Sequence, residues 1–416
     1  MKVYDILDME SKGCFDFFCN ETNWDSNSAG FGLIRDRAPG SPQVASIASV
    51  GFGLSALVIG CQRGWISHEK AFERAFGTLE TILKLETIHG FYYHFVDMNS
   101  GIRFRQSEIS VIDTAILICG VITVGEYFGQ DMKKLAEKIY VRVEWDWYVD
   151  KKTSLFYMGY LPEEGHFGSW DFYAEQFMMY FLGGGSPTFP TSGELMYKFE
   201  RHRGSYGSGS SFIYTPVGSL FTYQFSHAWF DLRNTSDRSG IDWYENSIEA
   251  VKANRQYCLD NNDASKTYGA GGWGLSACDG PKGYIGDYGT LPSGVQLRKH
   301  FTDGTVPPYG AAGSVVFMPK ECIETLELYY SHFPQCWGKY GFKDAFNLDV
   351  SPAWFGNDFI GIDKGISLLM IENYRSGLIW DVFMKNEHVK LGMKKCGIEK
   401  LRPVQDEGLP HEVLTA

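Results

Sequence analysis

The sequence predicts an all-α protein: a toroid in which an inner ring of helices is covered by an outer one. Three observations carry this. Apolar stretches rich in small and aromatic residues alternate with stretches that mix charged and apolar positions at helical spacing. The rhythm amounts to about 12 to 13 helices at roughly 35 residues each. Strand-like alternation is rare, and no Pro/Gly-rich linker divides the 416 residues, so the chain reads as a single domain, 1–416.

A short helical pattern at Met9–Cys19 is followed by a loop rich in Asn, Ser and Gly. Val44–Cys61 is an inner helix whose small residues (Ala45, Ala48, Gly51, Gly53, Ala56) suit close packing. Ser67 caps an outer, half-exposed helix over Glu69–Leu85, with Glu69 in its first turn. Gly90–Phe104 looks extended or loop-like. Ser107–Phe128 is the second inner helix, capped by Ser107 or Ser110, and Asp131–Trp147 is its charged companion. Phe167–Leu182 reads as an inner helix apolar all round, with Thr191–Glu200 a shorter outer one. Ser219–Phe230 is buried in character and Ile241–Leu259 amphipathic. Asn262–Thr305 is long and irregular; its Trp and Gly content argues for an ordered site loop. Pro308–Phe317 and Lys320–His332 form another inner/outer pair, and Gly361–Tyr374 and Gly377–Phe383 finish the pattern.

Composition narrows the function. Hydrophobic residues make up 44%, enough for a large core, and aromatics reach 16%, an excess that suits stacking on sugar rings. The formal net charge is −12 and no long basic cluster occurs, which argues against tight nucleic-acid binding and for an uncharged substrate. Nine Cys, an odd number, show neither CxxC nor zinc spacing. They fit a reducing cytoplasm, as does the absence of a basic-then-apolar leader pattern. No run of about 18 apolar residues marks a membrane span. No His pair has metal-ligand spacing, no GxSxG elbow occurs, and GAGGWG neither follows a clear strand nor opens a clear helix. Neither a metal nor a cofactor is expected. The oligomeric state is left open.

Several stretches, in order, are similar to one family: ASIASVGFGLSALVIG (45–60), FRQSEISVIDTAIL (104–117), GSPTFP (185–190), LFTYQFSHAWFD (220–231), GIDWYENS (240–247), WGLSACDGPKGY (273–284), DGTVPPYGAA (303–312) and GIDKGISLLMIENYRSGLIWDVFM (361–384). Together they resemble the bacterial glucoamylase-like domain family, whose characterised members are glycoside hydrolases acting on β-1,2-glucan. The resemblance implies an (α/α)6 barrel and hydrolysis of a β-glucan, β-1,2-linked first among linkages, without a required cofactor. Endo and exo action both stay open. Relatives of this fold also transfer sugars, so transglycosylation stays open too, as do epimerase or phosphorylase chemistry and a non-catalytic glycan-binding role.

Glycoside hydrolysis needs two carboxyl groups, one to protonate the leaving oxygen and one to activate water or attack carbon. Glu175 lies among Trp170, Phe172, Tyr173, Phe177 and Met178. Loss of hydration there raises a carboxyl pKa and prepares a proton donor, although a buried Glu bonded to backbone or an Arg is the plainer alternative. By the resemblance, Glu175 and Glu108 match two glutamates important in the cleft. Glu108, at a helix entry, is expected to stay ionised through the helix dipole, which suits a base or nucleophile. Asp363, before the last inner helix, is the candidate base of an inverting mechanism, with Asp358 not separable from it. Asp113 reads as structural, bonding backbone or an Arg. Asp279 could hold a sugar hydroxyl or tie its loop. Trp170, Tyr173, Gln224, His227, Trp229, Trp273, Asn373 and Arg375 are the expected substrate-binding side chains, with a satisfied core histidine the stronger alternative for His227.

Overall fold

The computed structural model describes residues 5–295 and 298–401; the ends of the expected 1–416 span and two residues of the long irregular stretch lie outside these. The described chain folds into fourteen α-helices, four short 3-10 helices and twenty strands of two or three residues. The helices are α1 (Ile6–Asn20), α2 (Ile47–Gln62), α3 (His68–Lys84), α4 (Val111–Phe128), α5 (Gln130–Tyr140), α6 (Phe177–Gly185) and α7 (Phe221–Gln224). They continue with α8 (Trp243–Asp260), α9 (Lys266–Gly269), α10 (Pro308–Ala312), α11 (Pro319–His332), α12 (Gly361–Ser376), α13 (Leu378–Phe383) and α14 (Glu387–Lys395).

The expected alternation is present. α2 and α4 are buried almost all round, whereas α3 and α5 bury one face only. α2 packs on α4, α4 on α6, α10 on α12, and α12 back on α2; α3, α5, α8, α11 and α1 lie outside them. α2 and α4 meet backbone to backbone at two glycines. A Cβ on Gly120 would fall 2.1 Å from the Gly51 carbonyl oxygen, and one on Gly51 2.4 Å from that of Ile116. α4 is long and apolar enough to cross a membrane, contrary to expectation, but its faces are taken by neighbouring helices and 72% of it is buried. One hydrophobic core runs from Ile6 to Ile398. All nine cysteines are free thiols, seven buried and two, Cys19 and Cys61, half-buried.

Three segments depart from the expectation, each for a local reason. The helix expected over Phe167–Leu182 begins only at Phe177. Before it, the Gln176 side chain accepts from the Ala174 N–H (2.7 Å) and donates to the Phe172 carbonyl (2.6 Å), so these backbone groups are satisfied by a turn instead of a helix. The outer helix expected over Thr191–Glu200 shrinks to a 3-10 turn at Gly193–Tyr197. Its place over α6 is shared with α14, which lay beyond the predicted elements. α14 approaches so closely that a Cβ on Gly392 would lie 1.8 Å from the Phe181 carbonyl oxygen. Finally, the strands form nine small sheets, which join segments at the helix ends.

Candidate active site

Carboxyl groups stand in or just before the first turns of three inner helices: Asp113 in α4, Glu175 before α6 and Asp363 in α12. Glu175 sits in the Gln176-braced turn that leads into α6, and its carbonyl accepts from Ser226 Oγ at 2.7 Å. Its side chain lines a cleft of about 170 Å³ together with Trp170, Asp171, Phe172, Phe221 and Arg298. No cation among the described residues comes within salt-bridge distance of it. Burial pushes its pKa up to about 7, with the charge of Asp113 adding to the rise; its own backbone N–H and the more distant Arg298 pull the other way. Near neutral pH this carboxyl holds a proton it can give away.

Glu108 lies outside α4, which begins at Val111 behind the cap Ser110. It is therefore not held by the helix terminus. Burial raises its pKa, but the hydrogen bond and charge of His94 outweigh that and the net shift is downward. Glu108 Oε1 is 2.8 Å from His94 Nδ1, and Asp113 Oδ2 lies 3.7 Å from Nε2 of the same ring. Asp113 thus faces a histidine, where a backbone or Arg partner was expected. Glu108 and Asp113, five residues apart and on different faces of an ideal helix, meet at one imidazole because Glu108 is on an extended segment.

A second run of charge follows from Arg37. Its Nη1 reaches both oxygens of Asp279 (3.1 and 2.9 Å), and its Nε lies 3.3 Å from Asp36. Asp279 is therefore an ion-pair partner, on a hairpin at Cys278–Gly280 and Gly283–Ile285. Its N–H donates to Asp344 Oδ2 at 2.7 Å. Asp344 in turn pairs with Asp363, in the first turn of α12. Burial, with the charge of Asp279 adding, pushes Asp344 up to about 7 although its hydrogen bond with Asp363 pulls the other way; burial and the charge of Asp344 hold Asp363 well above the usual carboxylate range. Two buried carboxyls in contact share a proton, since they cannot both ionise cheaply. Asp358 separates cleanly from Asp363: it accepts from the Gly40 N–H at 2.8 Å and lies 3.5 Å from Arg37.

Residues 168–387, more than half of the chain, match the family model described as "Glycoamylase: Putative glucoamylase". The chain belongs to the glycoamylase family. It is 27% identical over 94% of its length to an exo-β-1,2-glucooligosaccharide sophorohydrolase (non-reducing end) of Parabacteroides distasonis, of which it spans 57%. Among solved structures it superposes on a putative glucoamylase of Bacteroides uniformis with a TM-score of 0.84 and 27% identity, covering 96% of this chain and 99% of that one. It also matches an endo-β-1,2-glucanase of Chitinophaga pinensis, solved with sophorotriose and glucose, at a TM-score of 0.82 and 26% identity over 95% and 98% of the two chains.

Within this glycoamylase chain the expected binding residues fall into two groups. Trp170 lines the cleft, and its indole Nε1 is buried without a partner. The others lie deeper or elsewhere. Tyr173 packs against Trp243 and Phe177 in the core. Gln224 donates to the Gly310 carbonyl and Ser314 Oγ. His227 is bonded to Ser247 at 3.0 Å, and burial holds its pKa down at about 3, so it is a neutral core histidine. Trp229 donates to Ser55, Trp273 to Thr325, and Asn373 to the Ala228 carbonyl. Arg375 pairs with Asp5 and Asp8 near the C-terminal end of α12, about 18 Å along the helix from Asp363. Polar residues on an inner helix reach the cleft only near its first turn; further along, they serve the core.

Sequence reading passed over His94, Asp36, Arg37, Asp344, Asp171 and Arg298. They lie on loops and two-residue strands, where no periodicity marks orientation. A detectable signal for His94 was its setting: an ionisable residue in the aromatic run FYYHF. Among the described residues no His/Cys/Asp/Glu group is arranged to hold a metal ion.

Proposed function

We propose that this protein is a glycoside hydrolase of β-1,2-glucan or its oligosaccharides, working by inversion in a single (α/α)6 domain whose inner helices are α2, α4, α6, α7, α10 and α12. The observation that carries the reading is the presence of unlike carboxyls: Glu175, held protonated by burial, and Glu108, whose pKa is drawn down by its bond to His94. Environments that push carboxyl pKa values apart assign an acid and a base. The linkage comes from the named relatives, which act on β-1,2-glucans.

In this mechanism Glu175 protonates the glycosidic oxygen as the bond to the anomeric carbon breaks. A water on the other face loses its proton to a carboxylate and adds to that carbon, giving the opposite anomer. The base comes from the His94-held carboxylates, Glu108 or Asp113. The Asp344–Asp363 pair is a second reading, favoured by the buried and unpartnered Asp363 Oδ2. The two differ in pH dependence: a base drawn from the pair gives an acid limb near 7, whereas one held by His94 gives a limb well below that.

The test is incubation with linear β-1,2-glucan, following products by chromatography and their anomeric form by NMR. Short oligosaccharides released as the opposite anomer are expected. Products of the same anomer would overturn inversion, and activity on β-1,3-, β-1,4- or α-glucan alone would overturn the linkage.

A further inference from the structure

One imidazole stands where the two first inner helices begin. The His94 N–H donates to the Glu108 carbonyl at 2.8 Å, and its own carbonyl accepts from the N–H of Ile47, the first residue of α2, at 3.1 Å. The ring lies against Phe95 at a centroid distance of 3.7 Å, nearly parallel to it. Both ring nitrogens face acids: Nδ1 is 2.8 Å from Glu108 Oε1, and Nε2 is 3.7 Å from Asp113 Oδ2. The charged groups around it are Glu108, just before the Ile109–Ser110 strand that leads into α4, Asp113 from the first turn of α4, and Asp36 from the segment before α2. Arg37 touches Asp36 directly, its Nε 3.3 Å from Oδ2, while its Nη1 holds Asp279; Arg103 acts on Glu108 from further out and is engaged by Glu163.

We propose that His94 is a positioning residue for the hydrolysis proposed above: as an imidazolium bonded to Glu108 through Nδ1 and facing Asp113 with Nε2, it orients these two acids ahead of α4 and leaves the donated proton on Glu175. This rests on the hydrolase reading. A neutral imidazole has one N–H and could serve only one of the two acids, while the imidazolium donates toward both. Electrostatics agree with the geometry. Burial opposes the charge, but Asp113, the Glu108 hydrogen bond and Asp36 outweigh it and raise the histidine to about 9. Without that cation, three clustered acids repel one another and take up a proton at a higher pH.

Two measurements decide it. The first is a histidine-ring NMR titration of the wild-type protein, with the His94 resonance identified by its loss in His94→Asn. Titration near 9 is expected; titration at the ordinary value near 6.5 would overturn the proposal, whatever the enzyme's activity. The second is the pH profile of kcat/KM on β-1,2-glucan for wild type and His94→Asn, which keeps an amide donor but no charge. The acid limb is expected to move up by about one unit or more, a loss of about tenfold at a fixed pH below the limb. A profile lowered in height with its limbs unmoved would reduce His94 to a structural role. If the wild type cleaves no glucan, the hydrolase reading falls, and the NMR titration still decides the charge of the clamp.

Discussion

Glu175 combines two properties that oppose each other. Burial makes it an acid and also makes its charged form costly to the fold. Glu175→Gln removes the proton donor, so turnover on β-1,2-glucan should fall by about 10²–10⁴-fold. Wild-type activity should also decline as pH rises through about 7, where Glu175 gives up its proton. Stability should move the other way. A folded pKa raised above the unfolded value stabilises the protein below the unfolded pKa, and the advantage is lost as pH climbs through the folded one. Glu175→Gln should therefore be more stable than wild type by about 1–3 kcal/mol above pH 7, and the gain should vanish below pH 4, measured by urea unfolding at both. A variant with near-normal turnover would remove Glu175 from the mechanism. This residue was legible in the sequence because a carboxyl among so many aromatic side chains must lose hydration, although Asp171 of the same run was passed over. Gln224 and Asn373 lie in the core where binding residues were expected, because side-chain chemistry says nothing about depth along a helix; His227 is the core histidine that was the stronger alternative. Asp344 and Arg37, distant in sequence from everything they touch, had no local signal.

The elements legible in the sequence are those whose pattern, apolar all round or apolar on one face, persists over three to five turns: α2, α3, α4, α5, α8 and α12. What escaped is short. The turn at Gln176, the 3-10 segment at Gly193–Tyr197 and the two-residue strands are set by single side-chain bonds or by pairing with remote segments, and no window of sequence averages over those. The glycine contact between α2 and α4 was half visible, since the small residues of 44–61 announce a close neighbour without naming it. Gly120→Ala places a methyl against the Gly51 carbonyl and should cost about 1–3 kcal/mol in urea unfolding. Because α2 and α4 also carry the segments holding His94 and Glu108, activity should fall more than the stability loss alone explains. An Ala variant as stable and active as wild type would mean the helices separate freely.

At the scale of the molecule, the two ends of the inner helices divide the work. Acids gather at the N-terminal ends, where the helix dipoles favour negative charge, as Asp113 and Asp363 do in their first turns. The far end is structural, with Arg375 joining the C-terminal end of α12 to the first residues of α1. Arg375→Ala should accordingly leave kcat/KM within about twofold and cost up to about 1 kcal/mol, because its acidic partners are exposed. A large loss of activity would show that the two ends communicate.

The free thiols add a different kind of handle. Each of the seven buried ones sits in its own part of the fold: Cys14 in α1, Cys119 in α4, Cys258 in α8, Cys278 in the hairpin, Cys322 in α11, Cys336 in a 3-10 turn and Cys396 just past α14. A thiol reagent can modify such a group only while its surroundings are open. Labelling under native conditions, read cysteine by cysteine by mass spectrometry, would thus report how often each sector of the ring breathes. Cys19 and Cys61 should react at once, the hairpin's Cys278 before the helical thiols, and Cys119, sealed between α2 and its neighbours, last.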